Sequence, residues 1–429
     1  MTRPDAGQRV AIIGGGLIGL CAAFYLDRQH CQVTILEKEA IGSGASRGNG
    51  GQVVPADPLP APGMVTEGLR HWFSPSSAFY VNPRSLVSLL PFLVSFSLHA
   101  NQRAYLSAFR KLDELNRLTA ELFDELAAAG IGTDLARTGN LKAFRERDTA
   151  YAEWSAARRL AGLGLVGAPG EFLDRSALRE LEPSLGEAAS WGFLRPEVRW
   201  GDPSIFVDQL SGHLKNRGVA VDEPFSADAI AERPGSVVVS SSGGDEREYD
   251  SVLIAAGTRS RELVRGLGQR IALVPGRGYS FTVLPERMPG YTVLLGEAHV
   301  GATPLDGTRL RIAGTMEFGG PAAAPGHGAG TGAGPGPYAA RIEAIARAAR
   351  PFLGGVDWDK RSDEWAGSRP MTPDGLPYIG RVGRSPRVFL ATGHNMLGFS
   401  LAPATGQRIA ALMTGAIDDA ALKSFAPGR

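Results

Sequence analysis

The chain has 429 residues, of which 43% are hydrophobic and 21% charged, and its 45 lysines and arginines nearly balance 44 acidic residues. This length suffices for two or three domains around a ligand-sized cavity, and the near-neutral charge lacks the basic excess of proteins that bind nucleic acid. The two cysteines are Cys21 and Cys31, and the seven histidines are scattered without metal-ligand spacing. We therefore expect no disulfide framework, no metal site and a reducing, cytoplasmic compartment.

The N-terminal segment predicts one βαβ unit. Residues 9–13 are apolar and rich in β-branched side chains, a glycine turn occupies 14–19, a helical pattern runs to His30, and 32–37 is a second apolar strand. Strand, turn, helix and strand within about 30 residues imply parallel strands joined by a right-handed crossover. The first residues enter this unit without the zones of a secretory signal, which agrees with the expected cytoplasmic location.

The middle of the chain is predicted to be helical. Leucines at helical spacing run through 104–130, a further helix is predicted over 151–165, and 201–221 predicts a helix that feeds a strand. The apolar run 86–98 is shorter than the ~20 residues that span a bilayer. We interpret this run as a helix and favour burial in the core over contact with a membrane surface.

The later segments are richer in strands. Strands are predicted at 236–240, 251–256, 270–283, 292–295 and 309–315, followed by a helix over 338–352, a strand over 388–391 and a terminal helix over 404–414. The stretch 319–337 consists almost wholly of glycine, alanine and proline, so it cannot bury enough apolar surface to order itself. We expect a mobile loop within a domain there.

The glycine turn of the βαβ unit predicts a dinucleotide site. Gly14 permits the tight turn, Gly16 lets the backbone approach a pyrophosphate, and Gly19 lets the helix pack on the strand. The phosphates are expected at the positive N-terminus of the helix. Glu37 ends the second strand, where an acidic residue commonly hydrogen-bonds the ribose hydroxyls of an adenine dinucleotide.

A second loop rich in glycine and hydroxyl groups, residues 41–52, follows the acid directly. Its small residues let the backbone pass close to a long ligand, and Ser43, Ser46 and Asn49 supply donors for a phosphate or a ring edge. A nicotinamide site seldom needs such a loop. The pattern therefore disfavours an NAD-binding dehydrogenase, and a flexible surface turn is the alternative interpretation of this loop.

Two motifs near the C-terminus point to the same ligand. Arg369 lies in a turn rich in proline and glycine, and its guanidinium fork matches the geometry of a substrate carboxylate. Residues 391–401 form a glycine-bracketed turn that enters the last helix, where backbone donors and the helix N-terminus can stabilise negative charge on a reduced ring. A Ser-His-Asp triad and a pair of catalytic carboxylates are both missing from the sequence pattern, which suits chemistry performed by a cofactor.

These motifs together resemble the FAD-dependent D-amino-acid oxidase/dehydrogenase superfamily, most closely the small subunit of bacterial D-amino-acid dehydrogenases, with glycine and sarcosine oxidases as relatives. The resemblance covers nearly the whole chain. It is carried by the glycine turn 12–19, Gly44-Ala45-Ser46, Gly51-Gln52, Ala255-Ala256-Gly257, Gly278-Tyr279-Ser280, the motif 369–375, Gly393-His394 and Leu397-Gly398.

The resemblance implies an α/β fold: a Rossmann-type FAD-binding domain interleaved with an α+β substrate domain built on a mixed sheet. We expect residues 1–56, 200–268 and 356–429 to form the discontinuous FAD-binding domain, and 57–199 and 269–355 to form the substrate domain. The implied FAD-binding residues are Gly14, Gly16, Leu17, Ile18, Gly19, Glu37, Lys38, Ser43, Gly44, Ala45, Ser46, Asn49, Gly50, Gly51, Gln52, Ala256, Gly257, Gly393, His394, Leu397, Gly398, Phe399 and Ser400.

By the same resemblance Arg369 holds the substrate carboxylate, Tyr279 helps to position the substrate, and Arg277 is a further candidate. Two departures lie beside the expected flavin: the family's Gly-His-Gly-Thr-Leu-Gly turn reads Gly-His-Asn-Met-Leu-Gly at 393–398, and the loop before Gly51 reads Arg-Gly-Asn-Gly. They bear on the identity of the substrate more than on that of the cofactor. Because no cysteine follows Cys31, the late cysteinyl link of some relatives is excluded. FAD is expected to be non-covalent, and a histidyl link stays open.

The implied reaction is oxidation of the Cα–N bond of D-amino acids, including secondary ones of the D-proline type, to imino or 2-oxo acids. The electrons then pass to a quinone or another acceptor. A glycine or sarcosine type of oxidase that uses dioxygen, and a non-catalytic FAD-binding subunit of a hetero-oligomer, stay open. So do peripheral contact with the inner membrane and oligomer formation, whereas no nucleic-acid partner is expected.

Overall fold

The computed structural model describes residues 7–55, 57–64, 77, 79–319 and 339–429. The described helices are α1 (Leu17–Arg28), α2 (Leu86–His99), α3 (Gln102–Ala128), α4 (Arg147–Gly162), α5 (Arg175–Leu181), α6 (Pro203–Asn216), α7 (Ser260–Gly266), α8 (Ala339–Ala349) and α9 (Gly398–Met413). Short 3-10 turns occur at Pro83–Ser85, Gly257–Arg259, Arg350–Phe352 and Asp419–Phe425.

The strands among these residues are β1 (Arg9–Ile13), β2 (Gln32–Leu36), β3 (Gln52–Val53), β4 (Phe79–Val81), β5 (Asn140–Phe144), β6 (Trp191–Arg195), β7 (Arg199–Trp200), β8 (Ala220–Asp222), β9 (Ala227–Arg233), β10 (Ser236–Ser241), β11 (Glu246–Tyr249), β12 (Ser251–Ile254), β13 (Val274–Val283), β14 (Thr292–Leu295), β15 (Val300–Pro304), β16 (Leu310–Phe318), β17 (Ser362–Met371), β18 (Tyr378–Arg381) and β19 (Val388–Thr392). They form two large sheets and two small ones.

The first large sheet has the strand order β18-β19-β12-β1-β2-β8, and all its pairs are parallel except β18 with β19. Helices α1, α6 and α9 supply apolar side chains to the core on one face, and the antiparallel β9–β11 meander contributes to a core that includes alternate residues of β1. Strands buried on both faces explain the continuous apolar runs of β1 and β12. This is the predicted Rossmann-type sheet, built from both ends and the middle of the chain.

The second large sheet is mixed. Its order is β17-β13-β16-β15-β14-β5-β6, with β4 paired to the far end of β16. β14–β5 and β16–β4 are parallel, and the other pairs are antiparallel. Helix α8 packs on this sheet through Ile342 and Ile345. The segment 356–429 therefore contributes β17 to the mixed sheet as well as β18, β19 and α9 to the Rossmann-type sheet.

Several local signals determine where helices begin. Asp202 accepts a hydrogen bond from the Ser204 N–H at 2.8 Å, and Pro203 occupies the first helical position of α6, as the sequence predicted. Helix α9 begins at Gly398 rather than at the predicted residue 404, because its packing against α1 extends it across Pro403. At Gly406 a Cβ would lie 2.5 Å from the Cys21 carbonyl carbon, so the two helices touch backbone to backbone.

Helix α2 corresponds to the apolar run 86–98, and it is buried on one face alone. Leu89, Phe92, Leu93 and Phe96 pack in a core with Val81, Phe318 and Met371. On the opposite face the exposed apolar side chains are Val87, Leu90, Pro91, Val94 and Leu98. The expectation of a buried helix is therefore correct for only half of its circumference. The glycine- and alanine-rich stretch predicted to be a mobile loop lies, from residue 320 onward, outside the described residues.

Candidate active site

The glycine turn is built as the sequence predicted. Gly14 has a φ of 110°, and a Cβ there would lie 2.6 Å from the Ala255 carbonyl oxygen, so only glycine fits. A Cβ at Gly19 would lie 2.1 Å from the Gly14 oxygen, which explains the close packing of α1 on β1. Helix α1 begins at Leu17 without a side-chain cap from Gly16. Apart from the Leu17 N–H, which donates to Ser46 Oγ, the helix N-terminus is a backbone surface suited to a phosphate.

Glu37 turns back onto the glycine turn. Its carboxylate accepts hydrogen bonds from the Gly15 N–H at 2.7 Å and the Glu39 N–H at 3.0 Å, and the side chain is buried. The acid therefore lies at the end of β2 beside the turn, where the sequence placed it. The neighbouring Lys38 pairs with Glu39 at 2.9 Å and is half-exposed.

The second loop connects the two large sheets. Ser46 Oγ accepts from the Leu17 N–H at 3.0 Å, which ties the loop to the first turn of α1. Asn49 Oδ1 accepts from the Gly51 N–H at 2.7 Å, and Gln52 Nε2 donates to Thr292 Oγ1 at 2.7 Å in the mixed sheet. Among the described residues, no atom beyond the chain neighbours of Gly44 lies within 4 Å of the position that a Cβ would occupy there. The loop is thus attached to α1 and to the mixed sheet, and the space beside Gly44 is open.

The C-terminal turn lies against the motif that contains Arg369. Asn395 has a φ of 53°, and its Oδ1 accepts from the Thr372 N–H at 2.8 Å while its amide donates to Thr372 Oγ1 at 3.0 Å. Asparagine tolerates this left-handed conformation and uses its side chain locally. The departure from the family's glycine is therefore compatible with the same turn, and it fixes the turn to the end of β17.

His394 is buried beside this turn and contacts helix α9. Its Nε2 is 2.9 Å from Thr405 Oγ1, and its Nδ1 has no hydrogen-bond partner within the described part of the chain. Burial lowers the pKa of His394 to about 3, so the ring is neutral at physiological pH. A neutral imidazole can serve as a polar neighbour of a flavin, whereas it carries no positive charge for binding an anion.

The other residues at the start of α9 differ in what they contact. A Cβ at Gly398 or at Gly257 would have no atom from another part of the described chain within 4 Å. Phe399 instead points into the core, with its ring centroid 5.2 Å from that of Phe206, and Ser400 Oγ accepts from the Val54 N–H at 2.9 Å. The glycines thus remain available to a ligand through their backbone, while Phe399 and Ser400 hold the helix in place.

Arg369 lies across a floor made of glycine. It faces Gly276 in the β13–β17 register, and a Cβ at Gly278 would lie 1.8 Å from its Nη1. Nη1 is buried and has no hydrogen-bond partner among the described residues. Burial lowers the pKa of Arg369 to about 10, so the guanidinium stays charged at neutral pH. A guanidinium with a buried nitrogen and no acidic partner among the described residues creates a strong preference for an anion at this point.

Tyr279 and Arg277 lie on the opposite face of the same strand. Tyr279 donates a hydrogen bond to Glu317 and lies in the core beneath α8, where the Arg341 guanidinium is 5.7 Å from its ring centroid. Burial and the hydrogen bond to Glu317 raise the pKa of Tyr279 well above its ordinary value. Because successive side chains of a strand alternate between faces, the structure does not bring Tyr279 and Arg277 together with Arg369.

Trp365 completes the Arg369 face, although the sequence analysis assigned it no role. Cβ atoms at Gly48 and Gly367 would lie 2.1 and 2.0 Å from its indole, so the ring is packed against both glycines. Ser280 on the same face donates to the Gly48 carbonyl at 2.8 Å. The second loop, residues 41–52, therefore packs directly on the mixed sheet. The glycine close to a tryptophan in the sequence was the available signal for this contact.

The described residues fit FAD at this junction. The backbone cradle at Gly14 and Gly19 excludes side chains, and a Cβ would meet open space at Gly44, Gly257 and Gly398. These glycines come from the first β–α turn, the second loop, the end of β12 and the start of α9. The glycine turn at the start of α1 is the kind of backbone surface that binds the pyrophosphate of a dinucleotide. In the part of the chain that the structure describes, no cluster of residues could hold a metal ion.

Known proteins are similar to this chain over nearly its whole length. The sequence profile of the FAD-dependent oxidoreductase family (DAO) matches residues 9–412, and the chain belongs to this family. D-amino acid dehydrogenase of Sinorhizobium medicae is 30% identical over 95% of this chain and 96% of the relative. D-amino acid dehydrogenase of Cereibacter sphaeroides is 29% identical over 95% and 92%.

Solved structures share the fold. Glycine oxidase from Geobacillus kaustophilus has a TM-score of 0.70 at 24% identity, covering 98% of this chain and 99% of that one. L-proline dehydrogenase from P. horikoshii has a TM-score of 0.68 at 17% identity, covering 99% and 97%. The protein is thus an FAD-dependent oxidoreductase with the architecture of the amino-acid oxidases.

Proposed function

We propose that the protein oxidises the Cα–N bond of D-amino acids, including secondary ones of the D-proline type. The observation that carries the proposal is Arg369, whose charged guanidinium lies on the glycine floor at Gly278 with Nη1 buried and unpaired among the described residues. An amino acid carries a carboxylate that matches this fork. The names of the curated relatives support a D-configured substrate.

The chain's own part in the reaction is orientation. When bound, FAD supplies the hydride acceptor for the substrate Cα–H. Arg369 holds the carboxylate, and the glycines at 278 and 367 let its guanidinium and the Trp365 indole lie close against the sheet. With the amine neutral, the Cα hydrogen would leave as a hydride and the product would be an imino acid. Water would convert the imino acid of a primary amine to a 2-oxo acid and ammonia, whereas a proline-type substrate would give a cyclic imine. Non-covalent FAD is consistent with both cysteines, Cys21 and Cys31, being buried.

An anaerobic screen tests this proposal. The purified yellow protein is mixed with D-amino acids, L-amino acids, glycine, sarcosine and both enantiomers of proline, and the flavin absorbance near 450 nm is followed. We expect rapid bleaching by D-forms. Bleaching by L-forms alone would contradict the proposal, and silence across the whole panel would favour a non-catalytic FAD-binding subunit. Admitting air then separates a dehydrogenase from an oxidase, because only an oxidase releases peroxide in each turnover.

We further propose that the electrons pass to a quinone and that the protein reaches the membrane through helix α2. Among the described residues no helix is long and apolar enough to cross a membrane. At 1.5 Å per residue the 14 residues of α2 extend about 21 Å, short of the ~30 Å hydrocarbon core. Its exposed apolar stripe suits a helix that lies in the interface of the bilayer.

The stripe and its surroundings support an anionic bilayer as the partner. Val87 and Leu98 are 87% and 71% exposed, and Leu90 and Val94 lie between them on the same face. The segment 68–112 contains no acidic residue, and its cationic side chains are Arg70, Arg84, Arg103, Arg110 and Lys111. In a chain of net charge +1 this is a local basic excess. Apolar area together with attraction to anionic headgroups is the combination that binds peripheral helices.

Sedimentation with vesicles tests the contact. We expect binding to phosphatidylglycerol vesicles, weaker binding to phosphatidylcholine vesicles, and loss of binding in the double variant Leu90→Glu/Val94→Glu. The matched control is Leu163→Glu, at an apolar side chain that is 54% exposed elsewhere on the surface. Turnover with a soluble dye should not change in either variant. A lipid-free dimer that the double variant dissociates would assign the stripe to a second copy of the chain and overturn the proposal.

A further inference from the structure

One residue of β16 has a conformation that its side chain disfavours. The register between β13 and β16 shifts between Arg277, opposite Glu317, and Tyr279, opposite Gly314, so β16 carries an extra residue as a β-bulge. Thr315 in this bulge has a φ of 55°. A β-branched side chain in the left-handed region is uncommon, and such conformations concentrate at binding and active sites.

The neighbours of Thr315 show which face it occupies. A Cβ at Gly314 would lie 3.0 Å from Val300 Cγ2 and 3.6 Å from Ile345 Cγ1, so Gly314 faces helix α8. Met316 Sδ lies 2.8 Å from the Cβ direction of Gly276, on the opposite face, which also carries Arg369. Gly314 and Met316 are two positions apart and face opposite sides, so the bulge interrupts the alternation between them. Thr315 and Met316 are the two residues that oppose Gly278, and the two residues of such a bulge project to the side of their single partner, which is the Arg369 face. Its strand neighbour across the bulge is Gly278, the floor on which the Arg369 guanidinium rests.

Two polar groups at this point lack partners. Thr315 Oγ1 and Arg369 Nη1 are both buried, and neither forms a hydrogen bond within the described part of the chain. Buried polar atoms without partners are rare in native proteins, and an unbound ligand is one physical explanation. Thr282 Oγ1 is also buried without a partner among the described residues. Thr282, however, lies four residues along β13 from Gly278, opposite Arg311 and Ser362, and its pairing with β16 is regular. Lack of a partner alone therefore does not single out Thr315, whereas its position and backbone do.

We propose that Thr315 is a second substrate-binding residue, whose hydroxyl donates a hydrogen bond to the carboxylate that Arg369 holds. The inference rests on the proposed function and deepens it. The guanidinium fork would then bind the carboxylate, and one carboxylate oxygen would accept a further hydrogen bond from the hydroxyl. The bulge turns Thr315 toward the substrate at the cost of an unfavourable φ. Two fixed donors define the direction of the carboxylate, and this direction decides which Cα substituent points at the flavin.

The first test compares three variants of the FAD-loaded protein. Thr315→Val keeps the β-branched shape and removes the hydroxyl, Thr315→Ser keeps the hydroxyl, and Thr282→Val is the matched control. The probe is acetate, a carboxylate without an amine, whose binding is followed by the change in flavin absorbance and by inhibition of reduction. For Thr315→Val we expect at least about tenfold weaker acetate binding, the effect of losing a hydrogen bond to a charged group. Thr315→Ser and Thr282→Val should remain within about threefold of wild type.

The second test separates binding from folding. In anaerobic reduction by a D-amino acid, Thr315→Val should weaken the dissociation constant of the substrate more than it lowers the limiting rate. Thr315→Gly relieves the strain at φ 55° and should raise the melting temperature while it weakens acetate binding. A structural role would give the reverse for Thr315→Gly, with lower stability and unchanged binding.

The failures of the two proposals are distinguishable. Acetate binding that is equal in wild type and Thr315→Val overturns the role of Thr315 even when D-amino acids bleach the flavin. Wild-type protein that does not bind acetate overturns carboxylate recognition at this point. A flavin that no amino acid reduces, in a protein that binds acetate through Thr315, contradicts the proposed function and leaves the carboxylate site supported.

Discussion

The two faces of the β13–β17 strand pair both carry arginine side chains, but the polar groups on the two faces differ in whether they have partners. On the face beneath α8, Tyr279 donates to the Glu317 carboxylate, and Arg341 lies 5.4 and 5.7 Å from the ring centroids of Tyr80 and Tyr279. On the other face, Arg369 has a buried Nη1 without a partner among the described residues. Polar groups that hydrogen-bond to one another stabilise the sheet, whereas a charged group held without a counter-ion favours the binding of a ligand of opposite charge.

This contrast shows why residue type alone is a weak guide to a site. The sequence motifs offer Arg277, Tyr279 and Arg369, and the side chain of each can donate hydrogen bonds to a carboxylate. Only the pairing of β13 with β16 and β17 determines which of them already has a partner. Substitutions on the two faces should therefore affect different properties of the protein.

The largest expected effect comes from Arg369→Ala. Removing a buried charged partner of a carboxylate costs about 2–5 kcal/mol, which corresponds to roughly a 30-fold to several-thousand-fold loss in kcat/KM for D-amino acids. The loss should fall mainly on KM, since the guanidinium binds the substrate and does not take part in bond breaking. Steady-state kinetics with a soluble dye measures it. Arg369→Lys retains the charge without the fork and should lose less.

Folding should be little affected by the same change. Arg369 Nη1 has no hydrogen-bond partner in the described part of the chain, so its removal leaves no protein acceptor unsatisfied there. The melting temperature and the flavin content of Arg369→Ala are the controls. A marked loss of stability with unchanged KM would place Arg369 with the structural residues and remove the contrast between the two faces.

Tyr279→Phe is expected to have a smaller effect, and to change stability instead of KM. The change deprives the buried Glu317 carboxylate of a donor, and we expect it to lower the free energy of unfolding by about 1–3 kcal/mol. Because Tyr279 faces away from Arg369, KM for D-amino acids should stay within about twofold of wild type. Denaturant unfolding and steady-state kinetics on the same preparation give both quantities.

The matched comparison is Tyr378→Phe, at another buried tyrosine whose hydroxyl accepts a 3.3 Å hydrogen bond from the Ala272 N–H instead of contacting a carboxylate. Its effect on stability should be smaller than that of Tyr279→Phe. A KM that rises tenfold in Tyr279→Phe at unchanged stability would mean that this tyrosine reaches the substrate, as its motif first indicated.

The sequence predicted best where neighbouring residues decide the structure. The turn at Gly14 to Gly19, the cap at Asp202 and the strand–acid arrangement at Glu37 all depend on residues close together in the chain. The Arg369 motif likewise marks its turn through prolines and glycines. Helix α2 was harder, because an apolar run contains no information about which of its faces finds a partner.

Long-range pairing decided the rest. No local pattern predicts that Thr315 adopts a φ of 55°, since the bulge exists only relative to the register of β13. Asn395 shows the same limit: its side chain occupies a turn through contacts with Thr372, 23 positions away.

The sequence by itself therefore determined the βαβ unit, the dinucleotide cradle and the candidate carboxylate ligand, because glycine, proline and hydrophobic spacing act over a few residues. Only the tertiary structure decided which polar groups face the ligand and which face one another. The reason is that a strand displays alternate residues on opposite sides, and the partner on each side comes from a distant part of the chain.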